Sequence, residues 1–261
     1  MSDRHSDSAW PSPDQAFAAL REGFGEGVRI AVIDSGVDFS HPALATAHRG
    51  DDIAVSTDGI RLIIKENSGE DVFGHGTAVA GTIHHVAPHA EIGSFRALDG
   101  DNRSRSFIIA ECARQAIQRG YHIINCSFGC RGLARHVMEY KDWTDAAYVA
   151  GIHVVAAGSN LSDTIREWPA HFPSVIGVGM ADCGENELRY RPDRLVCFAA
   201  KGERVRVPWL DGGWRVETGS SFAAPRVTGF LARLLSQYPS LRPDLAKALL
   251  RAVAARSGEV V

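Results

Sequence analysis

Apolar residues along this chain gather in short, nearly unbroken runs. VRIAVI (28–33), EIGSFRAL (91–98), HIINCSF (122–128), IHVVAA (152–157) and SVIGVGM (174–180) read as strands. Several lack polar alternation, as expected of strands buried on both faces. Between them the spacing turns helical. DQAFAALREGF predicts a short helix over 14–24, and HGTAVAGTIHH a closely packed helix over 75–85. Residues 107–119 put Ile109, Cys112, Ala113, Ala116 and Ile117 on one helical face, and Gly120 ends it. Residues 137–150, 222–238 and 243–254 also read as helices, whereas 40–72 are polar and irregular apart from strand-like IRLII. Strands alternating with helices predict an α/β fold, a mainly parallel central sheet with helices on both faces. No repeat or linker divides the chain, so 28–261 reads as one domain and 1–27 as an N-terminal extension.

Composition narrows the function. Of 261 residues 45% are hydrophobic, enough for a large core. With 28 basic and 31 acidic residues the net charge is -3, and no basic stripe is long enough to follow a phosphate backbone. Nucleic acid is therefore not expected as a partner. No apolar run reaches the roughly 18 residues that cross a bilayer, so no membrane partner is expected either. The opening MSDRHSDSAWPSPDQ lacks an apolar signal core. Cys112, Cys126, Cys130, Cys183 and Cys197 are odd in number and lack metal-ligand spacing. Both features point to free thiols and a cytoplasmic location.

Three segments carry candidate chemistry. In AVIDSGVDFSHP (31–42), Asp34 follows directly on a buried strand, and groups beyond the carboxyl ends of parallel strands are where ligands bind. In FGHGTAVAG (73–81), His75 lies between glycines at the head of a helix, able to trade protons near neutral pH. In TGSSFAAPRVTG (218–229), Ser221 stands at a helix start, where free N–H groups favour an oxyanion. Pro225 fits only in a first turn, so that helix begins close to the serine. Taken singly, the three also read as a turn aspartate, a satisfied histidine and an N-cap serine. Histidines 84, 85 and 89 cluster near the end of one helix, but no carboxylate or cysteine beside them completes a ligand set, and no metal is expected there.

Together, DSGVD, HGTAVAG and GSSFAAP resemble the three signature motifs of the subtilisin-like serine proteases, in that family's order. The likeness runs from about Val28 to about Leu250. It implies a three-layer subtilisin-like fold and a serine endopeptidase without a cofactor. By the resemblance Asp34, His75 and Ser221 form the triad and an acyl-enzyme is the intermediate. HVVAAGSN resembles the strand that ends in the family's oxyanion-hole asparagine, here Asn160, with Ser159 where the family usually has glycine. NCSFG resembles the strand lining the cleft, so Ser127, Phe128 and Gly129 are expected to pair with an extended peptide substrate. LDGDNRSR looks like the opposing edge. There Arg103 and Arg105 are either solvated charge or readers of acidic residues upstream of the cut. WPAHFPSVIGVG resembles the segment that floors the primary specificity pocket. Glu167 falls where many members have glycine, which favours Lys or Arg before the scissile bond unless Glu167 faces solvent or pairs with Arg166. The family's secreted members carry a pro-region and commonly a calcium loop after the histidine helix. Here GTIHHVAPHAE runs straight from helix to strand, so no calcium is expected at that place and an intracellular processing protease of restricted specificity is expected. A transamidase or macrocyclase, and an inactive peptide-binding module, are the alternatives on the same scaffold.

Overall fold

A computed structural model describes residues 10–67, 69–162 and 164–255. Helix α1 (Pro13–Glu22) opens with a capping box in which Ser12 Oγ accepts the Gln15 N–H and Gln15 Oε1 accepts the Ser12 N–H. Strands β1 (Arg29–Asp34), β2 (His48–Thr57) and β3 (Leu62–Glu66) precede helix α2 (His75–Val86). Strand β4 (Glu91–Arg96), helix α3 (Ser106–Gln118), strands β5 (Ile123–Cys126) and β6 (Cys130–Arg131) and helix α4 (Val137–Val149) follow. Next come β7 (His153–Ala157), β8 (Glu167–Trp168), β9 (Ile176–Ala181), β10 (Leu188–Tyr190), β11 (Phe198–Lys201), β12 (Val205–Pro208) and β13 (Trp214–Glu217). Helices α5 (Ser220–Gln237) and α6 (Pro243–Ala254) end the described chain.

Nine strands form one sheet in the order β10-β11-β9-β7-β5-β1-β4-β2-β3. From β11 to β2 every pairing is parallel; β10 and β3 pair antiparallel at the two edges. Alternation along β1 explains the three layers. Ile30 and Val32 enter the core built with α1, α2, α5 and α6, whereas Ala31 and Ile33 enter the one built with α3 and α4. The apolar runs are unbroken because each strand feeds both cores. The register Ile33–Cys126–Ala156 aligns the carboxyl ends of β1, β5 and β7, so Asp34 and the segments after Cys126 and Ala157 emerge at one edge.

Four sequence expectations need correction. Residues 40–72 are not irregular: β2 occupies ten of them and inserts Ile53, Ala54 and Val55 beside β4. Its charged first half, HRGDD, masks an apolar stretch too short to register as a strand. The run 122–128 is strand only to Cys126, which leaves Ser127–Gly129 outside the strand. Pro225 is not in a first turn, because α5 begins at Ser220; lacking an N–H, the proline leaves the Ser221 carbonyl without its helical donor. Part of the stretch read as an extension is integral, since α1 puts Ala16, Ala19 and Leu20 into the main core, and Arg233 donates to the Leu20 carbonyl at 2.9 Å.

Candidate active site

Asp34 ends β1 fully buried, and its carboxylate accepts the Ser35 N–H at 2.8 Å. His75 Nδ1 lies 2.8 Å from Asp34 Oδ1 and 3.0 Å from Oδ2. This contact needs α2 to start almost against the turn after β1. Gly36 adopts φ 105°, and a Cβ on it would strike the Glu70 carbonyl; a Cβ on Gly76 would strike the Gly36 oxygen. The glycines of both motifs are there for this approach.

A residue that sequence reading passed over locks the arrangement. Asp71 Oδ1 accepts from Ser35 Oγ (2.8 Å) and from the N–H groups of Phe73 (3.0 Å) and Gly74 (2.7 Å). Its Oδ2 accepts the Thr77 N–H at 2.8 Å and the Thr77 hydroxyl at 2.6 Å. Ser35 Oγ in turn accepts the Gly76 N–H at 3.0 Å. One carboxylate thus accepts the Gly74 and Thr77 N–H groups at the α2 N-terminus and, through Ser35, ties it to the Asp34 turn. The signal was present: an acidic residue just ahead of a helix start.

Burial alone would lower the His75 pKa, but the charge and hydrogen bond of Asp34, helped by Asp71, raise it above the ordinary imidazole value. Ser221 is the second residue of α5. The next residue, Phe222, packs its ring edge-on to His75 with centroids 5.4 Å apart. Asn160 follows β7, and its Oδ1 accepts the Ser220 N–H (2.7 Å) and hydroxyl (2.9 Å). Those bonds leave the amide nitrogen as the free end. A methyl built on Gly219 would lie 3.2 Å from Ser221 Oγ and 3.4 Å from Asn160 Nδ2, so the hydroxyl and the amide flank one point of the chain. Ser159, despite replacing the glycine usual in the family, leaves Asn160 facing the start of α5.

Beyond β5, Ser127–Gly129 run along the cleft. Asn125 anchors them: its Nδ2 donates to Ser127 Oγ (3.0 Å) and its Oδ1 accepts from Thr228 Oγ1 of α5 (2.8 Å). Phe128 and Gly129 share a cavity of about 560 Å³ with Arg103, Arg105 and Tyr140, so residues 102–107 line its other side. The short β6–β8 pair brings Glu167 under Gly129, where a Cβ on that glycine would meet the Glu167 carboxylate. Glu167 is half-buried; burial raises its pKa, opposed by the nearby Ser159, and no ion pair to it forms among the described residues. It is therefore only partly open to solvent. Histidines 84, 85 and 89 diverge to Thr46 (3.1 Å), Glu185 (3.6 Å) and Glu26 (2.7 Å). No group of three or more potential ligands is gathered for a metal among the described residues.

The subtilase family model matches residues 25–260. Subtilisin DY of Bacillus licheniformis is 28% identical over 249 residues, covering 90% of this chain and 86% of that protein. A thermostable alkaline protease of Halalkalibacterium halodurans is 32% identical over 83% of this chain but only 59% of its own length. Among solved structures, S41 psychrophilic protease superposes with a TM-score of 0.73 at 25% identity, covering 88% of this chain and 83% of that one.

Proposed function

The chain belongs to the subtilase family, and from that premise we propose a serine endopeptidase mechanism centred on Ser221. Ser221 Oγ attacks the carbonyl carbon of a bound peptide while His75 Nε2 takes its proton. Asp34, bound to Nδ1, holds the ring in that tautomer and stabilises the imidazolium. Asn160 Nδ2 and the Ser221 N–H receive the oxyanion. The tetrahedral adduct collapses to an acyl-enzyme as His75 returns the proton to the leaving amine. Water, deprotonated by His75, then releases the acyl group. The observation that carries this reading is the double contact of a buried carboxylate with His75, beside the helix start that bears Ser221.

Substrate lies as an extended strand along Ser127–Gly129, and the residue before the scissile bond enters the slot floored by Glu167. The Glu167 carboxylate is half-buried with the Ser159 hydroxyl near it and no cation paired with it among the described residues, so a lysine or arginine of the substrate supplies the missing charge. Restricted, basic-directed processing follows from that reading. The five free cysteines support work in a reducing compartment.

The test uses Ser221→Ala and a fluorophosphonate probe. The parent labels on Ser221 and cleaves peptides, each new pair of ends heavier by one water. The variant does neither, a loss of many powers of ten in rate. Peptidase activity retained by a clean Ser221→Ala preparation overturns the assignment. Products joined to an amine without gain of water make the chain a transamidase, and an unlabelled parent makes it a binding module.

A further inference from the structure

Away from the cleft, the later turns of α2, the second turn of α5 and the β12–β13 hairpin enclose a cavity of about 550 Å³. Its wall carries His84, His85, Arg206 and Arg226, and a single carboxylate, Glu185. Arg226 is only 3% exposed. Of its five N–H donors, one bonds the Glu185 carbonyl at 3.1 Å, and Nε has no partner among the described residues. The Glu185 carboxylate stands off at 3.7 Å, more than half exposed, and is shared with His85 at 3.6 Å. Burial pulls the Arg226 pKa down, as expected of a charge whose surroundings replace lost hydration incompletely. Burial and the neighbouring histidines hold His84 below the ordinary imidazole value, and the two guanidiniums carry fixed positive charge. Arg206 lies on the hairpin, 4.0 Å over the Trp214 ring, which also lines the cavity.

We propose that this cavity binds a small oxyanion, the phosphate or carboxylate group of a low-molecular-weight ligand, with Arg226 as the buried anchor and Arg206 closing over it from the hairpin. The anion completes the hydrogen bonding that Glu185 leaves open. The cavity has room for an attached group, and Trp214 offers that group a flat apolar wall. The site is separate from Asp34, His75 and Ser221 and does not rest on the peptidase reading. Either guanidinium matches a planar or tetrahedral oxyanion by forked donation, which a lone ammonium does not.

The experiment is calorimetric titration of the full chain, made as Ser221→Ala to prevent self-cleavage, with inorganic phosphate and with succinate at constant ionic strength. Saturable one-site binding below about 10 mM is expected for at least one of them. The tighter of the two tells whether the natural ligand presents a phosphate or a carboxylate. Arg226→Gln should abolish the binding, and Arg206→Gln should weaken it about tenfold or more. Arg206 is exposed, so its variant keeps the parent melting temperature in chloride and decides the matter if Arg226→Gln fails to fold. Absence of saturable binding of both anions, or Arg206→Gln binding as tightly as the parent, overturns the proposal.

Discussion

By the resemblance Ser159 and Glu167 both fall where the family usually has glycine, and Ser159 opposes the rise that burial imposes on the Glu167 pKa. Each departure alone looks like drift; as a pair they build a polar floor beneath Gly129. Only ionised Glu167 attracts a cation, and its pKa is raised, so a basic preference should fade on acidification earlier than an ordinary carboxylate would dictate. Peptide-library profiling of the parent should give about tenfold or more preference for Lys or Arg at neutral pH, weakening in mild acid. Glu167→Gln should remove both the preference and its pH dependence; an unchanged profile rules Glu167 out as selector. Asp71 acts one step further from the substrate, as a positioning residue. Asp71→Asn keeps an acceptor for Phe73 and Gly74 but cannot accept from Thr77 through its NH₂, and it deletes a charge that helps raise the His75 pKa. His75 must be neutral to take a proton. The acid limb of kcat/KM should therefore move to lower pH in Asp71→Asn, while the plateau falls about tenfold. A limb that stays in place would limit Asp71 to a purely structural role.

At the scale of elements, α2 and α5 decide whether His75 and Ser221 meet. They touch where Gly229 faces Val86, and a Cβ on Gly229 would come within 2.6 Å of that side chain. Gly229→Ala should force the helices apart at a cost of about 1–3 kcal/mol, seen as a fall of several degrees in melting temperature. Turnover should fall with it, because the helix starts shift against each other; unchanged kcat would mean that the strain is absorbed elsewhere. The small residues of HGTAVAG made this close packing legible in advance. Strand β11 was not legible: FAAK has no β-branched residue, and its backbone is held by β9 on one side and β10 on the other. The hairpin β12–β13 was hidden for another reason. Its apolar partners Phe222 and Ala78 come from helices, so its burial follows from tertiary packing.

Across the whole molecule, one polar network joins β1, β2, β3, β4 and α3 at the far end of the sheet from the active site. Arg29 contacts Asp51 (3.0 Å) and Glu91 (2.7 Å), Arg119 contacts Asp51 (2.7 Å) and Glu66 (2.5 Å), and Tyr121 OH donates to Asp51 at 2.8 Å. The Tyr121 hydroxyl also accepts the Asp51 N–H at 2.9 Å. Burial would raise the Asp51 pKa, but Tyr121 and Arg119 lower it below the usual carboxylate value. A depressed carboxyl stabilises the fold above its unfolded pKa, and that contribution disappears as pH falls through the folded value. Tyr121→Phe should cost about 1–3 kcal/mol at neutral pH in urea unfolding, with the gap to the parent closing in acid and kcat unaffected. A gap that persists in acid would assign the loss to packing.

The sequence by itself determined the α/β class, the parallel core strands and the order of Asp34, His75 and Ser221, because burial on two faces and helix starts are written in neighbouring residues. Asn160 was placed with them only through the resemblance of HVVAAGSN, and the fold sets its side chain against Ser220. Only the tertiary structure decided what lies between motifs: that Asp71 ties the Asp34 turn to the His75 helix, that Asn125 hooks the 127–129 segment to α5, and that Glu167 comes under Gly129. Asn125 and Thr228 stand far apart along the chain, and no local pattern encodes which buried polar group will meet which. The same holds for Arg226, an ordinary helical arginine in sequence whose cavity exists only once α2, α5 and the hairpin pack together. Periodicity records what each segment buries; partners across the fold are chosen by packing, where every buried donor must find an acceptor.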